Sequence, residues 1–404
     1  MNNVPPIPAD EFDRISALSN LDLDYSNLND SLKDLTRLAA KVAGTDISLI
    51  NLIDSFTQWS VANYGLEIEQ LPREDSICQY TIVSDEKFEV KNLSLDDRFK
   101  DKLYVTGDPN VRYYYGVPLR ADGYHIGALC VLDPKEDKAL SPEKEELLRI
   151  IAGEIVTRLK ILHLVESLQD KVKTASETQR RLAHDIRGPL GGIIGLANVI
   201  AEQGDENQME EVLEFVTLIY KSGKSILELA DEILGNDQLL KKADKLNSNQ
   251  FNLAVLKEKL LKLYGPQAKS KHVKFEVVSS PDNEKVPFSK NKLLQIVGNL
   301  VSNAIKFTPA DGLVSVKLSL NVGTKGNTLQ IVVSDTGVGM TEDKIQMILT
   351  GKGESTTGTG GEQGYGFGLA LVKHLMDSLK GKLSITSEPE KGTSFTLELP
   401  QFES

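Results

Sequence analysis

From Ile161 the sequence places apolar residues at alternating spacings of four and three: Ile161, Val165, Leu168, Val172 and Ala175, then Gln179 and Leu182. A stripe with a period of roughly 3.5 residues stays on one narrow seam of a helix, and the flanking Gln, Asp, Lys, Glu and Thr leave little other apolar surface. The seam predicts a coiled coil, with Gln179 its single polar member. Ser141-Pro142-Glu143 supplies a start, because serine caps a helix and proline suits its first position. A second helical block covers about 177–203, a polar turn follows at Gln203-Gly204-Asp205-Glu206-Asn207, and a third block covers about 207–243. The third block carries Val212, Phe215, Val216, Ile219, Ile226, Leu229, Ile233 and Leu234. Two long amphipathic helices and a short turn make an antiparallel hairpin. One hairpin cannot bury both of its stripes, so the expectation is a homodimer whose paired hairpins form a four-helix bundle.

Different patterns flank this helical middle. Leu28, Leu32, Leu35 and Leu38-Ala39 recur at helical spacing. Residues 47–133 then alternate short β-rich runs (ISLINLI, TQWSVANY, FEVKNL, YYYGVPLR, HIGALCVL) with Gly, Pro, Asp and Asn, which predicts a small antiparallel sheet with helices packed on it. From about 248 strands and helices alternate: VKFEVVS, a helix at 290–306, VSVKLSL, LQIVVSD, a glycine-rich stretch, a helix at 366–379, KLSITSE and SFTLELP. That is a separate α/β domain.

Arg181-Leu-Ala-His-Asp-Ile-Arg-Gly-Pro-Leu190 is the first chemical motif. At about 100° per residue, Leu182, Ile186, Leu190, Ile193, Ala197 and Ile200 cluster as the stripe to be buried, and His184 points away from it. Such a histidine can offer a ring nitrogen to a phosphoryl group, since its neutral form is abundant near pH 7. The adjacent Asp185 can accept or orient the ring proton. Gly188-Pro189, just beyond, is expected to loosen and kink the helix.

Three patches near the C-terminus suit a nucleotide. On the helix Asn299-Leu-Val-Ser-Asn-Ala-Ile-Lys-Phe-Thr308, Asn299, Asn303 and Lys306 share one face. Amide oxygens suit Mg²⁺ and a lysine suits phosphate. In Val333-Ser-Asp-Thr-Gly-Val-Gly-Met340 a strand ends at Asp335, whose carboxylate can accept from an exocyclic amino group such as adenine's, while Gly337 and Gly339 permit a tight turn. Between Gly351 and Gly368 there are eight glycines in 18 residues, too many for a core. The last of them, Gly364, Gly366 and Gly368, open a helix whose N–H groups can face phosphate, with a mobile lid before it. GxxxxGK[ST] and the HRD and DFG motifs are absent, which excludes Walker-type ATPases and the common protein-kinase fold.

These patches, with His-Asp-x-Arg-x-Pro-Leu upstream, resemble the sensor histidine kinases and their Bergerat-type ATP-binding fold over about 177–400. The resemblance implies that His184 accepts the phosphoryl group with Asp185 as acid/base partner. Asn299 and Asn303 would belong to the N box, with Asn303 the Mg²⁺ ligand. Asp335 would contact adenine beside Gly337 and Gly339, Gly364, Gly366 and Gly368 would form the second glycine box, and Gly392-Thr393 the closing element. The implied cofactors are ATP and Mg²⁺, and the implied partner is an aspartate on the receiver domain of a separate response regulator. Two positions depart from the family. Gly188 stands where many members have the Thr or Asn linked to dephosphorylating the partner, which implies weak phosphatase activity. Ile345, Met347, Ile348 and Leu349 replace the phenylalanine-rich box.

The N-terminal region resembles the GAF family over about 20–160, in Leu71-Pro-Arg-Glu-Asp-Ser-Ile-Cys78, Asp97-Arg-Phe99, Val111-Arg-Tyr-Tyr-Tyr-Gly-Val-Pro-Leu119 and Ile126-Gly-Ala-Leu-Cys-Val-Leu-Asp133. It implies a sensor for a small-molecule ligand. Cys130 reads as core. Cys78 reads first as a small buried hydrophobe, with a chromophore-bearing or sensing thiol as the alternative.

The expected fold is multidomain α+β. A GAF α/β sandwich at 1–140 is followed by a coiled-coil signalling helix at 141–176, a dimerisation and phosphotransfer hairpin at 177–245 and a Bergerat α/β sandwich at 246–404. The net charge of −12 argues against a nucleic-acid partner and against an anionic membrane surface. Two cysteines, no basic apolar leader and no run of about 18 apolar residues fit a cytoplasmic protein. A non-catalytic ATP-binding scaffold, and an ATPase or protein-serine kinase on the same ATP fold, are the competing readings.

Overall fold

The computed structural model describes residues 5–135, 138–204, 208–235, 250–290, 292–323, 326–349, 358–359 and 367–401. Helices α1 (Glu11–Asn20) and α2 (Asn29–Ala43) precede strands β1 (Ile47–Ile53), β2 (Thr57–Tyr64) and β3 (Gln70–Pro72). Then come α3 (Cys78–Ile82), β4 (Phe88–Val90), α4 (Leu103–Thr106), β5 (Tyr113–Ala121) and β6 (Tyr124–Asp133). The six strands form an antiparallel sheet ordered β3-β2-β1-β6-β5-β4. Central β1 is buried along its whole length, Ser48 and Asn51 included, as suits a strand covered on both faces. Ile50 and Leu52 face one apolar cluster with Leu32, Leu35 and Ala39 of α2, while Ile47, Leu49 and Ile53 face another with Cys78, Ile82 and Cys130. Leu38, at the same helical stretch, turns outward.

Helix α5 (Pro142–Gln203) is 62 residues long and continues through Pro189 as one α-helix. Its first turns belong to the sheet domain, where Leu148, Ile151, Ile155 and Leu159 are buried. Its remainder and α6 (Met209–Gly235) form a separate unit. There Ile186, Pro189, Ile193, Leu196 and Ile200 are half-buried on α5, as are Val212, Phe215, Ile219 and Ile226 on α6. A Cβ added at Gly192 would lie 3.9 Å from Ser222 Oγ, so the two helices run side by side. Leu190 and Ala197 lie outside this intrachain stripe and are exposed, because the inner face is narrower than the one expected from the sequence. Ile161, Val165, Leu168 and Val172 of the seam are exposed in the single chain. The expected residues 236–243 of the third block lie outside the described residues.

The C-terminal part begins with β7 (Gln250–Phe251) and α7 (Leu253–Ser270), the latter capped by Asn252, whose side chain accepts from Val255 N at 2.9 Å. It continues with β8 (Lys274–Ser279), β9 (Phe288–Ser289), α8 (Leu293–Phe307), β10 (Leu313–Gly323), β11 (Gly326–Asp335) and α9 (Glu342–Leu349). The last elements are α10 (Phe367–Ser378), β12 (Lys382–Glu388) and β13 (Gly392–Gln401). Five strands order as β12-β13-β11-β10-β8, with only β8 parallel to its neighbour, and β7 pairs with β9. Val314, Val316, Leu318, Leu329, Ile331 and Val333 alternate inward against α7, α8 and α10, which leaves the other sheet face polar. Residues 1–165 and 251–401 form one compact unit, and a continuous apolar core runs from the first sheet into the second. Among the described residues, no helix is long and apolar enough to cross a membrane.

Candidate nucleotide site

Helix α8 buries Leu293, Ile296, Val297, Leu300, Val301, Ala304 and Ile305 against the sheet and α7, and its remaining face is polar. Asn299, Asn303 and Lys306 lie on that polar face yet are only 3%, 7% and 5% exposed. Asn299 Nδ2 donates to Gln295 O at 2.9 Å, one turn back. Asn299 Oδ1 and Asn303 Nδ2 have no hydrogen-bond partner among the described residues. A buried polar atom left in this state costs about 1–3 kcal/mol, so two on one helix face mark a surface built for something else.

The turn after β11 sits against the end of α8. Asp335 Oδ1 accepts the N–H of Gly337 at 2.8 Å and of Thr393 at 3.2 Å. Burial nonetheless raises the Asp335 pKa, the two N–H groups opposing it only in part. Val338 N donates to Phe307 O at 3.2 Å, and a Cβ on Gly337 would stand 2.4 Å from the same oxygen. Gly339 adopts φ +64°, and a side chain there would meet Glu388 O at 1.9 Å, so this turn tolerates only glycine. Thr393 reaches Asp335 through its backbone, while its hydroxyl pairs with Ser387 Oγ at 2.9 Å.

Gly368, at the start of α10, completes the site. A Cβ there would come within 2.9 Å of Asn299 Oδ1, so glycine lets the α10 N-terminus close on α8. Thr359 donates from N and Oγ1 to Lys306 O, at 3.2 and 3.1 Å, tying Thr359 to the end of α8. Gly364 and Gly366 lie outside the described residues. The structure thus brings together Asn299, Asn303, Lys306, Asp335, Gly337, Gly339, Gly368 and Thr393. In α9, Ile345 and Ile348 are buried and Met347 is exposed, so aliphatic side chains fill the place of the phenylalanine-rich box.

His184 and Asp185 lie within α5, but their side chains fall outside the described residues. Gly188, one turn on, is exposed. In the first domain, Cys78 and Cys130 are free thiols, both buried, with sulfurs 3.8 Å apart. Asn51 Nδ2 donates to both, at 3.1 and 3.4 Å, and Tyr114 Oη donates to Cys78 Sγ at 3.3 Å. Burial would raise the Cys78 pKa, but the hydrogen bonds from Cys130, Tyr114, Asn51 and Ser76 outweigh it and lower the value.

One residue beside the site carried no sequence signal. Phe56, in the β1–β2 connection, lies 5.4 Å from Lys306 Nζ and abuts Gly368. A lone phenylalanine in a hairpin tip has no periodicity to betray it; only the tertiary fold delivers it to α8.

Two known families match the sequence: the GAF domain over residues 27–159, and the histidine kinase-, DNA gyrase B-, and HSP90-like ATPase over residues 289–403. The autoinducer 2 sensor kinase/phosphatase LuxQ of Vibrio vulnificus (strain YJ016) is 32% identical over 238 residues, 57% of this chain and 27% of that protein. The cyclic di-GMP phosphodiesterase PA2567 of Pseudomonas aeruginosa is 33% identical over 183 residues, 45% of this chain and 31% of that protein. The chain therefore spans less than a third of the length of these curated relatives. Among solved structures, the catalytic domain of histidine kinase ThkA aligns at 24% identity and a TM-score of 0.32, covering 38% of this chain and 94% of that one. The chain carries a GAF domain and, C-terminal to it, an ATPase domain of the histidine kinase, DNA gyrase B and HSP90 type.

Proposed function

We propose that this chain is a cytoplasmic sensor histidine kinase. ATP occupies the face formed by α8, the Asp335 turn and the start of α10, and its γ-phosphoryl group passes to His184, then to an aspartate of a response regulator. The observation that carries this reading is the pair of orphaned amide atoms on Asn299 and Asn303, buried beside Lys306 and closed by Gly368. Asn299 Oδ1 is an acceptor without a donor, which suits a metal ion or its bound water, and Asn303 presents an oxygen when its amide is turned over. Mg²⁺ held there would neutralise charge on the triphosphate. Lys306 orients the phosphates through its ammonium, and the backbone N–H groups opening α10 receive equatorial oxygens. Asp335 keeps an acceptor oxygen for the adenine amino group. Asp185 steadies the ring proton of His184, leaving the other nitrogen free to attack. A homodimer joined through α5 and α6, controlled by a small molecule in the GAF domain, completes the proposal.

Incubation of the full chain with γ-labelled ATP and Mg²⁺ tests it. The expected result is an acid-labile, alkali-stable label, lost in His184→Gln while nucleotide binding persists. Label retained in His184→Gln moves the chain to another kinase class, and bound ATP with no label in either protein makes it a scaffold.

A further inference from the structure

The α8 face that bears Asn299, Asn303 and Lys306 meets the GAF domain. The Phe56 ring stands 5.4 Å from Lys306 Nζ, within cation–π range. At Gly368 an added Cβ would lie 2.5 Å from Phe56 Cε2 and 2.9 Å from Asn299 Oδ1, so the ring and the amide both border the α10 N-terminus. One apolar side chain thereby stands beside the groups read as handling phosphate.

The tip carrying Phe56 is held firmly. Arg73 N donates to Phe56 O at 2.9 Å and Arg73 Nη1 to Asp54 O at 3.2 Å. Arg14 Nη1 donates to Ile53 O at 2.7 Å. Glu11 pairs with both guanidinium groups, and all three side chains are essentially inaccessible to solvent. Around the tip the two domains interlock. Trp59 meets Tyr264 edge-on with centroids 5.8 Å apart, and Gln70 Nε2 donates to Leu263 O at 3.1 Å. Asp22 Oδ1 accepts from Lys292 N at 3.0 Å, and Asp24 pairs with Lys259.

We infer that this docked arrangement is an inhibited state, in which Phe56 and the nucleotide triphosphate compete for the same face of α8. The inference rests on the reading of that face as the ATP site. A ring beside Lys306 and the α10 N-terminus excludes phosphate oxygens and metal-bound water, and Lys306 Nζ also lies 5.3 Å from the Phe307 ring centroid. Nucleotide then binds only the undocked fraction, so apparent affinity is reduced by that fraction. A GAF-domain signal that loosens the dock would raise activity.

The test measures binding of a non-hydrolysable ATP analogue with Mg²⁺ to the full chain by calorimetry. Phe56→Ala is expected to bind about tenfold tighter than the unaltered chain, as release from a mostly docked population requires. Asp24→Lys, which reverses the peripheral ion pair without touching the site, should tighten binding likewise, and Asp24→Lys with Lys259→Asp should return it towards the starting value. Circular dichroism confirms folding of each variant. Equal affinities throughout would overturn the inference and leave the ATP site standing. No binding by any of the proteins would overturn the site reading and the inference with it.

Discussion

Asp335 Oδ1 and the backbone N–H of Thr393, 58 residues apart in sequence, meet at 3.2 Å, and the same oxygen takes the Gly337 N–H at 2.8 Å. One carboxylate thus fixes the turn after β11 to the start of β13 and keeps its other oxygen as an acceptor.

Asp335→Asn preserves the oxygen that receives the two N–H groups but turns the remaining acceptor into a donor. Against an exocyclic amino group this sets donor against donor, at about 1–3 kcal/mol. Nucleotide affinity is expected to fall roughly ten- to hundredfold by the same measure. The thermal midpoint without nucleotide should hold or rise slightly, because burial disfavours the charge that the substitution removes. Calorimetric titration and thermal unfolding separate the two effects.

Glu11 predicts a pH dependence. Burial alone would raise its pKa, but the hydrogen bonds and charges of Arg14 and Arg73 outweigh burial and hold it below the ordinary 4.5. A lowered carboxylate contributes stability that is fully present above its unfolded value and is lost as pH falls through the folded one. Glu11→Gln removes the carboxylate shared by two buried guanidinium groups and is expected to cost about 3–5 kcal/mol near neutral pH. The gap in thermal midpoint between the two proteins should narrow once pH drops below about 4.5. A gap that stays constant down to pH 3 would refute this account.

The buried thiols predict silence towards polar reagents. Cys78 and Cys130 are 2% and 1% exposed, so Ellman's reagent should react with neither in the folded chain and with both after denaturation. Rapid modification of Cys78 in the native state would favour a sensing thiol over a core residue.

The sequence declared the ATPase site better than the sensor. Asn299, Asn303 and Lys306 recur on one helical face, and a polar row on an otherwise apolar helix is legible without coordinates. Asp335 with Gly337 and Gly339 was equally plain, since a strand ending in a carboxylate and two glycines has few structural uses. The helix Leu253–Ser270 went unread because Gly265 and Pro266 interrupt its pattern, and packing of Leu253, Leu256, Leu260 and Leu263 overrides that weakness. Leu190 illustrates the limit of period counting: it belongs to the apolar stripe by angle, yet the inner face of the hairpin is satisfied by Ile186, Pro189 and Ile193. Phe56 and the pairing of Arg73 with Glu11 were invisible because their partners lie far away in sequence.

Oligomeric state gives the last prediction. On α5 and α6, Leu190, Ile194, Leu213, Val216 and Leu227 remain exposed, Ile194 at 53% and Leu213 at 59%. Apolar side chains spread along two adjacent helices make a surface that a second hairpin would cover, at about 25 cal/mol for each Å² removed from water. Sedimentation at micromolar concentration is expected to give a dimer. Ile194→Glu combined with Leu213→Glu should give a monomer, since two carboxylates would have to be buried against their symmetry mates. That monomer should keep its nucleotide affinity, because Asn299, Asn303 and Asp335 lie in elements outside the hairpin. If it instead sediments as a dimer, association runs through another surface and the four-helix bundle falls.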